Sequence, residues 1–211
     1  MKVSNGLIEK GVVVGNVYDK YGARNLLVRS IMAGFSRNLE AMVSQASPDT
    51  IHDVGCGEGY WVLKWIHEGC AARGTDFSSQ VIQIAQSNAV EREISPSVFE
   101  TRNIFDLAPI QDRADLVVCC EVLEHLEHPA DALRILATIV DRYLILSVPR
   151  EPVWRILNLL RGKYVTEMGN TPGHIQHWSK KGFMDLVAGY FQIVDVRTPL
   201  PWTMLLCRPL C

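Results

Sequence analysis

The sequence predicts a doubly wound α/β domain built on a seven-stranded, mostly parallel sheet, and three observations predict it. Short apolar runs alternate with helical stretches along most of the 211 residues. Those runs are apolar on both faces, as central parallel strands must be when helices cover the sheet on two sides. The last two runs follow one another through the turn-like Thr198 to Pro201, which reads as a hairpin and sets an antiparallel C-terminal strand beside the parallel ones.

The elements follow in order. From about Val17 to Gln45, apolar residues recur at three and four positions (Leu26, Leu27, Ile31, Phe35, Leu39, Met42, Val43), the pattern of an amphipathic helix, and Ser47 to Asp49 ends it. Strands are predicted at Thr50 to Val54, Ala71 to Thr75, Ser97 to Thr101, Leu116 to Cys120 and Tyr143 to Val148. Helices at Tyr60 to His67, Gln80 to Arg92 and Pro129 to Thr138 supply right-handed crossovers between them. After an irregular segment come a helix near Lys180 to Gly189 and the strands Phe191 to Arg197 and Thr203 to Cys207. This length suits one core. The domain is therefore single, with an N-terminal helical lid over 1–46 and a substrate-covering insertion at about 150–179.

Composition narrows the function. With 21 basic and 23 acidic side chains and no like-charge run, the chain lacks the basic stripe that nucleic-acid binding needs, so a small or neutral partner is expected. Its six cysteines, Cys56, Cys70, Cys119, Cys120, Cys207 and Cys211, lack metal-type spacing and read as reduced thiols. No stretch approaches the roughly 18 apolar residues of a spanning helix. A cytoplasmic monomer or homodimer is the expectation.

The first strand runs into Asp53-Val54-Gly55-Cys56-Gly57-Glu58-Gly59, the context in which a glycine turn becomes a ligand site. A dinucleotide fingerprint is GxGxxG, whereas this loop is GxGxG, carries acidic Glu58 and lacks a basic neighbour; a diphosphate, and with it a nucleotide-dependent oxidoreductase, fits poorly. Asp76 ends the second strand 19 residues beyond Gly57, near the spacing of about 20 at which a carboxylate meets ribose hydroxyls. The alternative is an N-cap for the helix that Ser78 and Ser79 begin. Asp53 either pairs locally or receives the ammonium of a bound amino acid.

HDVGCGEG (52–59), GTDFS (74–78) and ADLVVCCEVLEHL (114–126) resemble the successive motifs of class I S-adenosylmethionine-dependent methyltransferases, in the subgroup of the ubiquinone-biosynthesis O-methyltransferases. The likeness covers roughly Thr50 to Pro149. It implies S-adenosyl-L-methionine as cofactor and a Rossmann-like sheet, with Gly55, Gly57 and Gly59 along the methionine half, Asp76 on the ribose and Phe77 on the adenine face. Cys56, Ile104 and Glu121 complete that set. At the adenine position the family usually shows Asp, whereas this chain has Asn103, with Asp106 three residues on.

Methyl transfer from a sulfonium is a displacement, which needs an aligned nucleophile and, where required, a base. Glu121, Glu124 and His125 are spaced i, i+3 and i+4, so a helix starting at that strand end would project all three to one side. They are equally readable as helix-start carboxylates that favour the macrodipole. As ligands they form an O,O,N set suited to Mg, Mn or Fe. Gly173 to Ser179 resembles the segment of small-RNA 2′-O-methyltransferases, and of metal-dependent ubiquinone O-methyltransferases, that carries a ligating histidine. His174 is the match and His177 an extra candidate, so Glu121, Glu124, His125 and His174 form the candidate set for a divalent metal such as Mg. In a metal-free site His125 or His174 would be the general base, with Glu121 beside it. Tyr18 and Tyr21 resemble an aromatic lid, and Trp154, with His177, is placed on the substrate. Glu151 to Val165 alternates apolar Val153, Trp154, Ile156, Leu157, Leu159 and Leu160 with basic Arg155, Arg161 and Lys163, which suits a short amphipathic helix over the substrate or on a membrane surface, with plain packing on the core as the alternative. The expected reaction is methyl transfer to an oxygen of an aromatic or lipid-like small molecule. The alternatives are N, S or C of a small molecule, or an RNA 2′-hydroxyl with a divalent metal.

Overall fold

The computed structural model describes residues 1–9, 12–13, 15, 25–160, 168–171 and 173–210. A two-residue antiparallel pair, β1 (Ile8–Glu9) with β2 (Val12–Val13), precedes the main body. Helix α1 (Leu26–Ala46) opens at Asn25, whose side chain accepts a hydrogen bond from the Val28 amide at 3.3 Å, the N-cap arrangement that satisfies a free first-turn N–H. The predicted helix began at Val17; residues 16–24 lie outside the described residues, and Tyr18 and Tyr21 with them.

Seven strands then form one sheet: β3 (Thr50–Val54), β4 (Ala71–Asp76), β5 (Phe99–Thr101), β6 (Ala114–Cys120), β7 (Val140–Pro149), β8 (Phe191–Arg197) and β9 (Trp202–Pro209). Their order is β5-β4-β3-β6-β7-β9-β8, with β9 antiparallel to both of its neighbours and the other pairings parallel. The predicted hairpin is therefore present, and the fold is the doubly wound one. The third strand is shorter than its predicted range: Pro96 starts a 3-10 turn over Pro96–Val98, capped by Ser95, and pairing begins only at Phe99. A skipped residue between Ile193 and Asp195 bulges the outer strand β8, a device that blunts edge pairing.

Helices cover both faces. α1, α2 (Tyr60–His67) and α3 (Ser79–Val90) bury Phe35, Leu39, Met42, Trp61, Trp65 and Ile82 in one core layer. On the other side α5 (Pro129–Ile139) and α7 (Lys180–Val187) bury Leu133, Leu136, Phe183 and Val187. The short α4 (Pro109–Asp112) and amphipathic α6 (Val153–Leu160) complete the helices, and Trp154 of α6 packs against the first layer. Side-chain caps fix the starts of α3, where Ser78 Oγ accepts from Val81 N at 3.2 Å, and of α7, where Ser179 Oγ accepts from Gly182 N at 3.1 Å. Because β3 is followed outward by β4 on one side and flanked by β6 on the other, strand order reverses between β3 and β6. A cleft opens at the carboxyl ends of strands at such a point. Among the described residues no helix is long and apolar enough to cross a membrane, and the five described cysteines are free.

Candidate active site

The loop Gly55 to Gly59 leaves β3 at this reversal. Gly55, Gly57 and Gly59 all have positive φ, between 55° and 83°, backbone that favours glycine. They differ in what surrounds them. A Cβ on Gly55 would stand 2.3 Å from Val122 Cγ2 and one on Gly59 2.4 Å from Phe99 Cζ, whereas one on Gly57 would meet nothing within 4 Å. The outer two glycines are packing necessities, and Gly57 faces open space.

Asp76 ties the loop to the second strand. One carboxylate oxygen accepts from Gly57 N at 3.1 Å and the other from Ser78 N at 3.0 Å. The cap of α3 is Ser78, so Asp76 is not spent on that role. Burial raises the pKa of Asp76 against the two amide bonds that lower it, and burial with the Asp76 charge behind it pushes the Asp53 carboxyl up to about 7. Burial and then the Asp53 and Asp76 charges push the Cys56 thiol up, so Cys56 is an apolar wall rather than a nucleophile. Farther along, Phe77, Glu100, Thr101, Arg102, Asn103 and Asp106 line a cleft of about 370 Å³. Asn103 also caps the turn Ile104–Asp106, accepting from Phe105 N at 3.0 Å, and Ile104 is buried beneath it.

A second group follows β6. Instead of the helix that the i, i+3, i+4 spacing predicts, Glu121 adopts φ 60° and a 3-10 turn runs over Leu123–His125. The turn parts the residues. Glu124, His125 and His174 come together, with one ligand atom from each within 4.8 Å of the others. Glu121 points elsewhere: its carboxylate accepts from Ser147 Oγ at 2.9 Å and from Trp202 Nε1 at 2.6 Å. His177 is outside the group as well, its Nε2 bonded to Asn170 Oδ1 at 2.6 Å.

Backbone bonds hold the distant histidine in place. Ile175 N and Gln176 N both donate to Glu124 O at 3.0 Å, and Gln176 Nε2 donates to Leu126 O at 3.1 Å. His125 Nδ1 bonds Gly173 O at 2.9 Å. A carbonyl can only accept, so Nδ1 carries the proton and Nε2 keeps its lone pair. Burial lowers the His125 pKa and, with the nearby His125 and His177 charges, takes that of His174 down to about 3, so both rings are neutral at pH 7.

The rings continue into a row. His174 meets His125 edge-on at 4.9 Å between centroids and stacks on Trp154 at 5.8 Å. Trp154 tilts against Trp202 at 6.1 Å, which meets Phe35 of α1 at 4.9 Å. Trp154 is itself pinned by its Nε1–H, which donates to Thr171 Oγ1 at 2.8 Å. Ser147 and Phe35 are candidate site residues that sequence reasoning did not single out. Their positions carry no local motif, only apolar strand and helix patterns.

The family profile described as methyltransferase domain matches residues 25–190. A ubiquinone biosynthesis O-methyltransferase of Aeromonas salmonicida (strain A449) is 27% identical over 121 residues, 56% of this chain and 51% of that protein. The chain spans about half the length of the curated relatives it matches. Magnesium protoporphyrin IX methyltransferase from Synechocystis PCC 6803, solved with bound SAH, superposes with TM-score 0.67 at 21% identity, covering 90% of this chain and 91% of that one. A Pyrococcus horikoshii OT3 protein gives TM-score 0.71 at 17% identity, over 92% and 97% of the two chains. At those identities the likeness is one of fold. With the profile spanning most of the sequence, the chain belongs to the methyltransferase domain family.

Proposed function

We propose that this methyltransferase moves the methyl group of S-adenosylmethionine to an oxygen of a small aromatic acceptor. The observation that carries the reading is the row of rings Phe35, Trp202, Trp154, His174 and His125. Its imidazole end begins just past Val122, the residue that packs on Gly55. Rings so arranged favour an acceptor with a flat apolar body. The names of the relatives, ubiquinone biosynthesis O-methyltransferases, support the same acceptor class. The near balance of charge supports a small molecule over RNA.

On this reading the methionine half of the cofactor lies along Gly55 to Gly59, with Asp53 facing its ammonium. Asp76 keeps lone pairs beyond its two amide bonds and accepts from the ribose hydroxyls. Phe77 and Asn103 border the adenine end. As the acceptor oxygen bonds to the methyl carbon, the carbon–sulfur bond breaks and its electron pair stays on sulfur, neutralising the sulfonium. The acceptor proton passes to His125 Nε2. His174, neutral down to about pH 3, is too weak a base for that step and serves as wall and hydrogen-bonding partner. Glu121 positions Trp202 instead of touching the acceptor.

A second element rests on the group Glu124, His125 and His174. Two neutral imidazoles and a carboxylate fit a divalent ion, and these three residues would hold it without Glu121. Such an ion supplies Lewis acidity that lowers the pKa of an acceptor hydroxyl. His125 would then serve as a ligand in place of a base, and the acceptor proton would pass to solvent. Exposed Ile156 and Leu159 on α6 suit an apolar acceptor arriving from a lipid surface. Turnover of catechol-type phenols against thiols and amines, followed by S-adenosylhomocysteine release with and without a chelator, tests the reading. Phenol turnover supports it, chelator sensitivity decides for the metal, and turnover confined to thiols or amines overturns it.

A further inference from the structure

Glu58 sits inside the glycine loop, between Gly57 and Gly59, yet it is buried, with 1% of its surface exposed. Its surroundings come from the N-terminal segment. Glu58 Oε1 accepts from Ser4 N at 3.1 Å, and the Glu58 carbonyl accepts from Asn88 Nδ2 at 3.1 Å. Asn88, fully buried in α3, exchanges a reciprocal pair with Lys2: Lys2 N donates to Asn88 Oδ1 at 2.9 Å and Asn88 Nδ2 donates to Lys2 O at 3.1 Å. Gly15 passes over the same carboxylate so closely that a Cβ there would stand 2.5 Å from Glu58 Oε1 and 2.7 Å from Ser4 Oγ. At the other end of α3, the Glu9 carboxylate accepts from Ser78 Oγ, from Ser79 Oγ at 3.4 Å and from Gln80 N at 3.5 Å. The segment from Lys2 to Glu9 therefore runs from the C-terminal end of α3, over the loop, to the N-terminus of the same helix.

We propose that Glu58 and Asn88 are positioning residues for cofactor binding: they clasp the N-terminal strap, and the strap holds the glycine loop in its binding conformation. This rests on the reading that the loop carries S-adenosylmethionine. The Glu58 carboxylate is turned to the strap, whereas Gly57 beside it faces open space, so one short loop has a cofactor side and a strap side. Asn88 makes the link rigid, because a single buried amide bonds the strap and the loop backbone together. Coupling of this kind is reciprocal: whatever the strap adds to cofactor affinity, the cofactor returns as strap order.

The test uses the full chain with S-adenosylhomocysteine as the probe. Gly15→Val drives a side chain into Glu58 and lies outside the two core layers; Asn88→Ala cuts the amide link; Glu58→Gln keeps the acceptor oxygen. Gly15→Val and Asn88→Ala are expected to weaken S-adenosylhomocysteine about tenfold and to raise the cofactor KM while kcat at saturation stays within about twofold. Glu58→Gln is expected to stay near wild type. In the wild type the probe should slow amide exchange over residues 2–6. Should Asn88→Ala fail to fold, Gly15→Val decides alone. Unaltered affinity in Gly15→Val and Asn88→Ala overturns the proposal, as does strap exchange indifferent to the probe. Wild-type protein that does not bind the probe at all overturns the cofactor reading of the loop instead.

Discussion

The two halves of the proposed site are built by different means. On the cofactor side, backbone geometry does most of the work: β3, a turn of positive-φ glycines and the end of β4, all within 27 residues from Thr50 to Asp76. The acceptor side has no such contiguous source. It draws Phe35 from α1, Glu124 and His125 from a 3-10 turn, Trp154 from α6, His174 from an irregular segment and Trp202 from β9. A site made by backbone tolerates little change of conformation, and a site made by side chains tolerates little change of chemistry.

The largest expected effect lies on the chemical side. His125→Gln should lower kcat by about a hundredfold or more, the usual scale of a lost general base, with cofactor affinity unchanged by calorimetry. Because burial lowers the His125 pKa, the base is already free at pH 7. The wild-type rate should then be level above about pH 6.5 and fall as acid protonates Nε2; a rate still climbing through pH 8 would contradict that assignment.

Next comes the backbone side. Gly59→Val, with φ 83° and Phe99 at 2.4 Å from the new Cβ, should cost about 3 kcal/mol or more in denaturant unfolding. Gly57→Ala meets no neighbour and should cost about 1 kcal/mol. Equal losses at the two positions would erase the distinction between packing and ligand-facing glycines.

Trp202→Phe is smaller again. It keeps a ring but removes the N–H that Glu121 accepts, a change of about 1 kcal/mol, and should appear as a several-fold rise in acceptor KM with the cofactor KM unmoved. A matching rise in cofactor KM would show that Glu121 serves the other half.

The smallest effect is in pH. With its carboxyl at about 7 in the free protein, Asp53 is about half protonated at neutrality, and a cationic cofactor favours the charged form. Affinity should therefore rise with pH through neutrality and binding should release protons, read by calorimetry in two buffers of different ionisation enthalpy. Asp53→Asn should abolish the release.

The same division explains what could be read from sequence. Both-face apolar runs and a glycine turn are local signals, so the doubly wound parallel sheet, the C-terminal hairpin and the position of the loop at a strand end followed from them. Pro96, which trims β5 to three residues, was equally local but was overridden by the apolar pattern around it. The spacing of Glu121, Glu124 and His125 assumed a helix, and the positive φ at Glu121 sends that carboxylate to Ser147 and Trp202. No local pattern announces that turn, because its partners lie 26 and 81 residues away. The docking of His174 beside His125 depends on backbone bonds to Glu124 O, which periodicity cannot foresee.

Calorimetric titration of wild type and Asp76→Ala with S-adenosylmethionine tests most directly whether the loop and Asp76 grip the nucleoside sulfonium. One site in the wild type, weakened by about 1.5 to 3 kcal/mol in the variant, is the predicted result. Equal affinity in the two proteins, or none in either, would contradict it.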